Sequence, residues 1–298
     1  MKRHLDESDA KTMNDGGFPP PNSSGGVPVV TPNNPNPYKG NGSGERVFDW
    51  TIPKEWYVKE AYIITPDGEK ICDFSVNNLH LVGYSKPFKG ELELKDLKKK
   101  LFSLPDKPTA IPYVTSYYEE RWGFCISEKQ LKKLKKGMYK VVIDTKLFNG
   151  VLNYGELKIK GKSKKEIFLS TYVCHPSMAN NELSGPVVLT YLSKWLQSIG
   201  NTEFSYRIIF IPETIGSITY LSKHYKEMKR KVIAGFNVTC VGDNRAYSYL
   251  PSRDGKTISD DVAKHVLKWI EPNYKKYTWL DRGSDERQYC APGIDLPI

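Results

Sequence analysis

The chain has 298 residues, enough for one large core or two ordinary ones, with 39% apolar residues and a formal net charge of +10. No run approaches the roughly 18 consecutive apolar residues of a membrane span, and the first twenty residues lack the apolar stretch of a secretion signal, so a soluble, cytoplasmic protein with no membrane partner is expected. The excess charge lies in local lysine runs at 95–100, 129–136 and 158–165, with no recognition-helix pattern and no aromatic ribonucleoprotein box, so nucleic acid is not expected as a partner.

Residues 1–44 are rich in Pro, Asn, Gly and Ser and predict a disordered tail, because this composition buries too little apolar surface to offset the entropy of ordering. The character changes at Arg46. Short alternating runs predict strands at 57–64, closing on a turn at Pro66-Asp67-Gly68, and at 70–73, 80–84, 90–94, 110–112, 122–126 and 137–144. Residues 45–150 therefore read as a β-rich module. From 151 to 298 the elements lengthen: strand 166–173, helix 186–198, strand 206–211, helix 216–228, strand 232–241, helix 258–270 and a short strand near 276–280. This alternation predicts an α/β domain with a doubly wound sheet.

The five cysteines, at 72, 125, 174, 240 and 290, form no C-x-x-C pair and are expected to be reduced and mostly buried. Cys174 stands beside His175 at a strand end. Strand alternation would point the two side chains opposite ways, which makes Cys174 a core thiol.

Chemistry-bearing residues collect at the predicted strand ends, where open α/β sheets place their ligand sites. His175 to Gly185, reading His-Pro-Ser-Met-Ala-Asn-Asn-Glu-Leu-Ser-Gly, follows the first long strand. Glu213 follows the second, in Pro-Glu-Thr-Ile-Gly-Ser, and Asp243 follows the third. A later loop, Asp281 to Tyr289, carries Asp285, Glu286 and Arg287. One histidine with carboxylates and an amide from successive strand ends suits a divalent cation such as Zn²⁺, with a position left open for water. A further carboxylate can then take a proton from that water. The other histidines, His4, His80, His224 and His265, lie in the tail, in the β module or within helices and read as surface or packing residues.

The segments RVFDWTIPKEWYVKEAYI, CHPSMANNELSG, IPETIGSITYL, CVGD and SDERQYCAPGIDLP together closely resemble the aminopeptidase-like domain proteins of bacteria, distant relatives of the zinc aminopeptidases with co-catalytic metals. The resemblance covers roughly 46–298. It implies a phosphorylase/hydrolase-like mixed α/β sheet carrying an inserted, protease-associated-type β domain, and a zinc-dependent peptidase or amidase acting on a peptide or small amide substrate. Carried over by position, His175, Asn181 and Asp243 are implied metal ligands, for one or two zinc ions. Glu213, Asp285 and Glu286 are implied catalytic residues, and Arg287 and Glu182 are implied substrate contacts. Asn181 stands where relatives usually carry a bridging aspartate, and Thr214 stands where the zinc aminopeptidases place a second acid. The chain also ends before the Tyr-His-Thr-Ser segment that supplies the closing histidine, so the domain is expected to be truncated at both ends. These departures keep open an alternative: a catalytically impaired homologue or fragment acting as a binding module. An oligomer is compatible with either reading.

Overall fold

The computed structural model describes residues 41–298 apart from Tyr118, Pro176, Ser177 and Arg282. The expected tail up to residue 40 lies outside the described residues. The first sheet is built from strands β1 (Glu55–Ile64), β2 (Lys70–Ile71), β3 (Phe88–Glu93) and β4 (Met138–Phe148), in the antiparallel order β2-β1-β4-β3. Alternation in β4 buries Tyr139, Val141, Ile143 and Thr145 on one face. In β1 the inward residues are Val58, Ala61 and Ile63, and a register shift between Val58 and Glu60 accounts for the extra residue in that spacing. These side chains pack with Leu81, Leu97, Phe124 and Ile126 into the core of the module.

Two of the expected strands in this module do not form. Residues 80–84 make only isolated bridges, Leu81 with Phe124 and Gly83 with Thr115, and 110–112 is irregular. Cys72 and Tyr84 have positive φ (51° and 63°), which breaks the extended runs that alternation suggested.

The second sheet holds β5 (Gly155–Ile159), β6 (Glu166–Tyr172), β7 (Ser205–Ile211) and β8 (Val232–Asn237), in the order β5-β7-β6-β8. β6 runs parallel to both β7 and β8, while β5 closes the edge antiparallel to β7. Helix α1 (Ser184–Ile199) joins β6 to β7, and α2 (Ile215–Lys231) carries the chain back past β6 to β8. Crossovers of one hand that step in opposite directions put their helices on opposite faces. Leu189 and Leu196 of α1 accordingly pack on Leu169 and Ile208, while Tyr220, Leu221 and Met228 of α2 pack on Phe168, Ile209 and Ile211. Helix α3 (Ile258–Ile270) follows, opened by a capping box between Thr257 and Asp260.

The β module is spliced into this layer. Asn41–Gly42 pairs with Val151–Leu152, and Val47, Trp50 and Ile52 pack on Ile215 and Ile218 of α2. The chain thus touches the α/β layer, leaves to build 55–148, and returns beside its point of departure.

At the far end of the sheet from the carboxyl termini of β6 and β7, Arg207 is fully buried in β7. It donates to both carboxylate oxygens of Glu166 (2.7 and 3.2 Å) and to Tyr220 Oη (2.9 Å), and lies 3.4 Å from Glu156 and 3.1 Å from Glu227. Burial alone would depress this guanidinium, but Glu166 and its other acidic partners hold it above the ordinary arginine value.

Candidate functional site

Strand β6 ends at Tyr172, so pleat alternation no longer governs residues 173–175. Cys174 and His175 both turn toward the crevice. The expectation of a core thiol at 174 is therefore corrected: the Cys174 sulfur, a His175 ring nitrogen and a Glu213 oxygen all lie within 4.8 Å of one another. Among the described residues no other group of three His, Cys, Asp or Glu side chains comes this close.

Glu213 arrives from the end of β7. Its Oε2 meets His175 Nε2 at 2.8 Å, and its Oε1 accepts a hydrogen bond from Ser284 Oγ at 2.7 Å. Thr214, the next residue, sits at φ 61°, which is strained for a β-branched side chain. Asp285 holds it there: Oδ1 accepts from the Thr214 amide at 2.7 Å and from Ser217 Oγ at 3.0 Å. The loop 284–286 thus aims Glu213 from below. Asp285 and Glu286 are both buried, with Glu286 Oε2 accepting from Asn237 at 2.9 Å, so they brace the site instead of lining it.

Glu182 enters from a π-helical turn, Ala179–Leu183, at the start of α1. Its Oε2 accepts from the Cys174 amide at 2.6 Å. Its Oε1 is buried, receives no hydrogen bond, and lies 4.0 Å from His175 Nε2. Burial lifts this carboxyl above its ordinary value, partly offset by the backbone N–H groups of Cys174 and His175. Gly185 lets the turn sit this close, because a Cβ there would meet Val238 O at 2.2 Å and Thr171 Oγ1 at 2.3 Å.

The β module closes the other side. Ser116 bonds back to Gly83 O through its amide and its hydroxyl, both at 2.9 Å, which fixes the 113–116 loop. Tyr113 from this loop places its hydroxyl 2.8 Å from His175 Nδ1, with its ring edge-on to the imidazole. That contact leaves Nε2 facing Glu213. The hydrogen bond with Cys174 and the one with Glu213 raise His175 to about 10 in the absence of a cation.

Asp243, Arg287 and Asn181, three further expected site residues, make contacts of their own outside the group of Cys174, His175 and Glu213. Strand β8 ends at Asn237, four residues short of expectation, so Asp243 falls on an exposed loop. There it pairs with Arg245 at 2.8 Å and Asn180 at 3.3 Å, which lowers it to about 2, and it does not join His175 and Glu213. Arg287 is exposed and donates to Leu280 O at 3.2 Å. Asn181 turns its amide nitrogen to Cys240 Sγ at 3.7 Å, while its Oδ1 is buried without a hydrogen bond. Pro176 and Ser177 of the same motif lie outside the described residues. Tyr113 and Ser284 were not expected. Each reaches the site across a contact of 62 or more residues in sequence that no local pattern encodes.

Asp285 has a consequence for stability. It is fully buried, Oδ2 receives no hydrogen bond, and burial, reinforced by Glu213 and Glu286, pushes it up to about 7. A carboxyl raised in this way binds its proton more tightly folded than unfolded. Its stabilising contribution is therefore complete below about pH 4 and is lost as the pH climbs through about 7, on the order of 4 kcal/mol in all. Asp285→Asn keeps an acceptor for Thr214 and Ser217 and removes the titration. Urea unfolding at pH 5 and pH 7.5 is expected to show a smaller loss of stability for this variant than for the wild type.

The mixed α/β fold built from these elements is similar to those of solved M28 aminopeptidases. It matches a zinc aminopeptidase from Bacillus subtilis (TM-score 0.51, 15% identity, 80% of this chain and 68% of that one). It also matches a peptidase M28 precursor from Shewanella amazonensis (TM-score 0.58, 12% identity, 87% and 73%). The chain belongs to the family described as Domain of unknown function (DUF4910), whose model matches residues 38–298. It is 44% identical over 256 residues to a Clostridium acetobutylicum protein, named as a candidate polysaccharide biosynthesis protein with aminopeptidase-like domain. A crystal structure of a candidate peptidase from the same species superposes with a TM-score of 0.84 at 43% identity, covering 87% of this chain. The chain spans 58% of the length of the first of these relatives and 61% of the second. Among the described residues no helix is long and apolar enough to cross a membrane.

Proposed function

We propose that this protein is a zinc-dependent aminopeptidase-like hydrolase of a peptide or amide bond. The observation that carries the reading is the convergence of His175 and Glu213 at 2.8 Å, with the unbonded Glu182 Oε1 beside them. Imidazole and carboxylate donors next to a buried, unbonded oxygen fit one Zn²⁺ ion. His175 and Glu213 would hold it. When bound, it would supply an acidified water and polarise an amide carbonyl. Tyr113 keeps His175 in the tautomer that offers Nε2, Ser284 and Asp285 keep Glu213 aimed, and Glu182 takes the proton at Oε1. The 55–148 module is read as the protease-associated-type insert, supplying one wall through Tyr113. None of the five cysteines stands in a disulfide, which supports a reducing, cytoplasmic setting.

A non-catalytic binding role is the second reading. It is favoured by Asn181, whose neutral amide bridges cations less well than a carboxylate. Elemental analysis after dialysis against zinc separates the two. About one zinc per chain is expected for the wild type, and its loss is expected in His175→Ala. Zinc absent from both would overturn the enzyme reading.

A further inference from the structure

We infer that Cys174 is itself a ligand of this cation, making the site a mixed sulfur, nitrogen and oxygen centre. This rests on the metal-dependent reading above and goes beyond its ligand set. The three donor atoms of Cys174, His175 and Glu213 all approach within 4.8 Å of one another, so a single ion between them is reached by modest side-chain movements. Zinc's own bonds, about 2.0–2.3 Å to these donor types, span such a triangle.

The geometry around the sulfur is built, not incidental. The Cys174 amide is clamped by Glu182 Oε2 at 2.6 Å, and the same carboxylate presents its other, unbonded oxygen toward His175. Glu182 is 4% exposed, so an unsatisfied oxygen there is costly unless a cation or a proton meets it. Cys174 is half-buried, in contrast to the buried Cys72, Cys125 and Cys290, of which Cys72 and Cys290 belong to the packed cores. A thiolate on the ion selects zinc, cobalt or cadmium over magnesium or manganese, which prefer oxygen. It also replaces the negative charge that Asn181 does not supply.

Cobalt(II) titration of the full chain tests this without any assay of activity. Cobalt bound through a thiolate absorbs strongly in the near ultraviolet by sulfur-to-metal charge transfer, alongside the weaker visible bands of the ion. The wild type is expected to show both, and Cys174→Ser only the visible bands. Zinc affinity in Cys174→Ser is expected to fall by more than the roughly 10–100-fold typical of losing an outer partner. Cys240→Ser, altering the exposed cysteine, is expected to keep the charge-transfer band. If Cys174→Ser does not fold, the band in wild type and in Cys240→Ser decides the matter. Visible bands without charge transfer in the wild type would overturn the sulfur ligand and leave a His175–Glu213 metal site standing. Failure of the wild type to bind cobalt or zinc at all would overturn both.

Discussion

Zinc-loaded Glu182→Gln is expected to turn over amide substrates about 10²–10⁴-fold more slowly than the wild type, the usual contribution of a positioned general base. The glutamine keeps an acceptor for the Cys174 amide, now 2.6 Å from Glu182 Oε2, so the π-helical turn and α1 keep their places. What it removes is the basic Oε1 that faces His175 Nε2. Zinc content is expected to be unchanged and the loss to fall on kcat. Steady-state kinetics with metal analysis on the same preparation checks both. A variant that loses zinc in parallel with activity would make Glu182 a ligand in place of a base.

Arg207→Leu is expected to destabilise the fold by about 3–5 kcal/mol, the typical cost of removing one partner from a buried ion pair. The leucine would leave Glu166, a buried residue bonded twice to Arg207, facing an apolar side chain with Glu156 and Glu227 nearby. Adding Glu166→Gln to Arg207→Leu is expected to recover part of the loss, since it removes one of the stranded charges. Denaturant unfolding of the single and double variants measures this directly. Because the cluster lies at the opposite end of β6 and β7 from His175, the zinc affinity of the folded single variant is expected to match the wild type.

The α/β half was the more legible part in sequence. Its helices and strands are long and periodic, so 186–198, 216–228 and 258–270 sit within or on Ser184–Ile199, Ile215–Lys231 and Ile258–Ile270. The edge strand Gly155–Ile159 was missed, because Gly-Glu-Leu-Lys-Ile is short and one edge of it stays polar. In the β module, positive-φ residues interrupt runs that alternate convincingly, so 80–84 reads as a strand and is not one. At the site, His175 and Glu213 were legible because strand ends announce themselves by an apolar run that stops. Cys174 was misread by extending pleat geometry past Tyr172, where the strand has already ended. Asp243 was misplaced for the converse reason, since β8 stops before the apolar pattern does. Arg207 gave no signal at all. A lone charge in Ser-Tyr-Arg-Ile-Ile-Phe-Ile looks like an outward-facing residue until the acids from three other elements close around it.

The most direct test is the rate of aminoacyl-anilide hydrolysis by the full chain before chelation, after chelation, and after zinc is returned. The account predicts turnover that disappears with the chelator, comes back with zinc, and stays at background in His175→Ala throughout. A rate indifferent to the chelator, or a stoichiometrically zinc-loaded chain inert across aminoacyl and simple amide substrates, would contradict it.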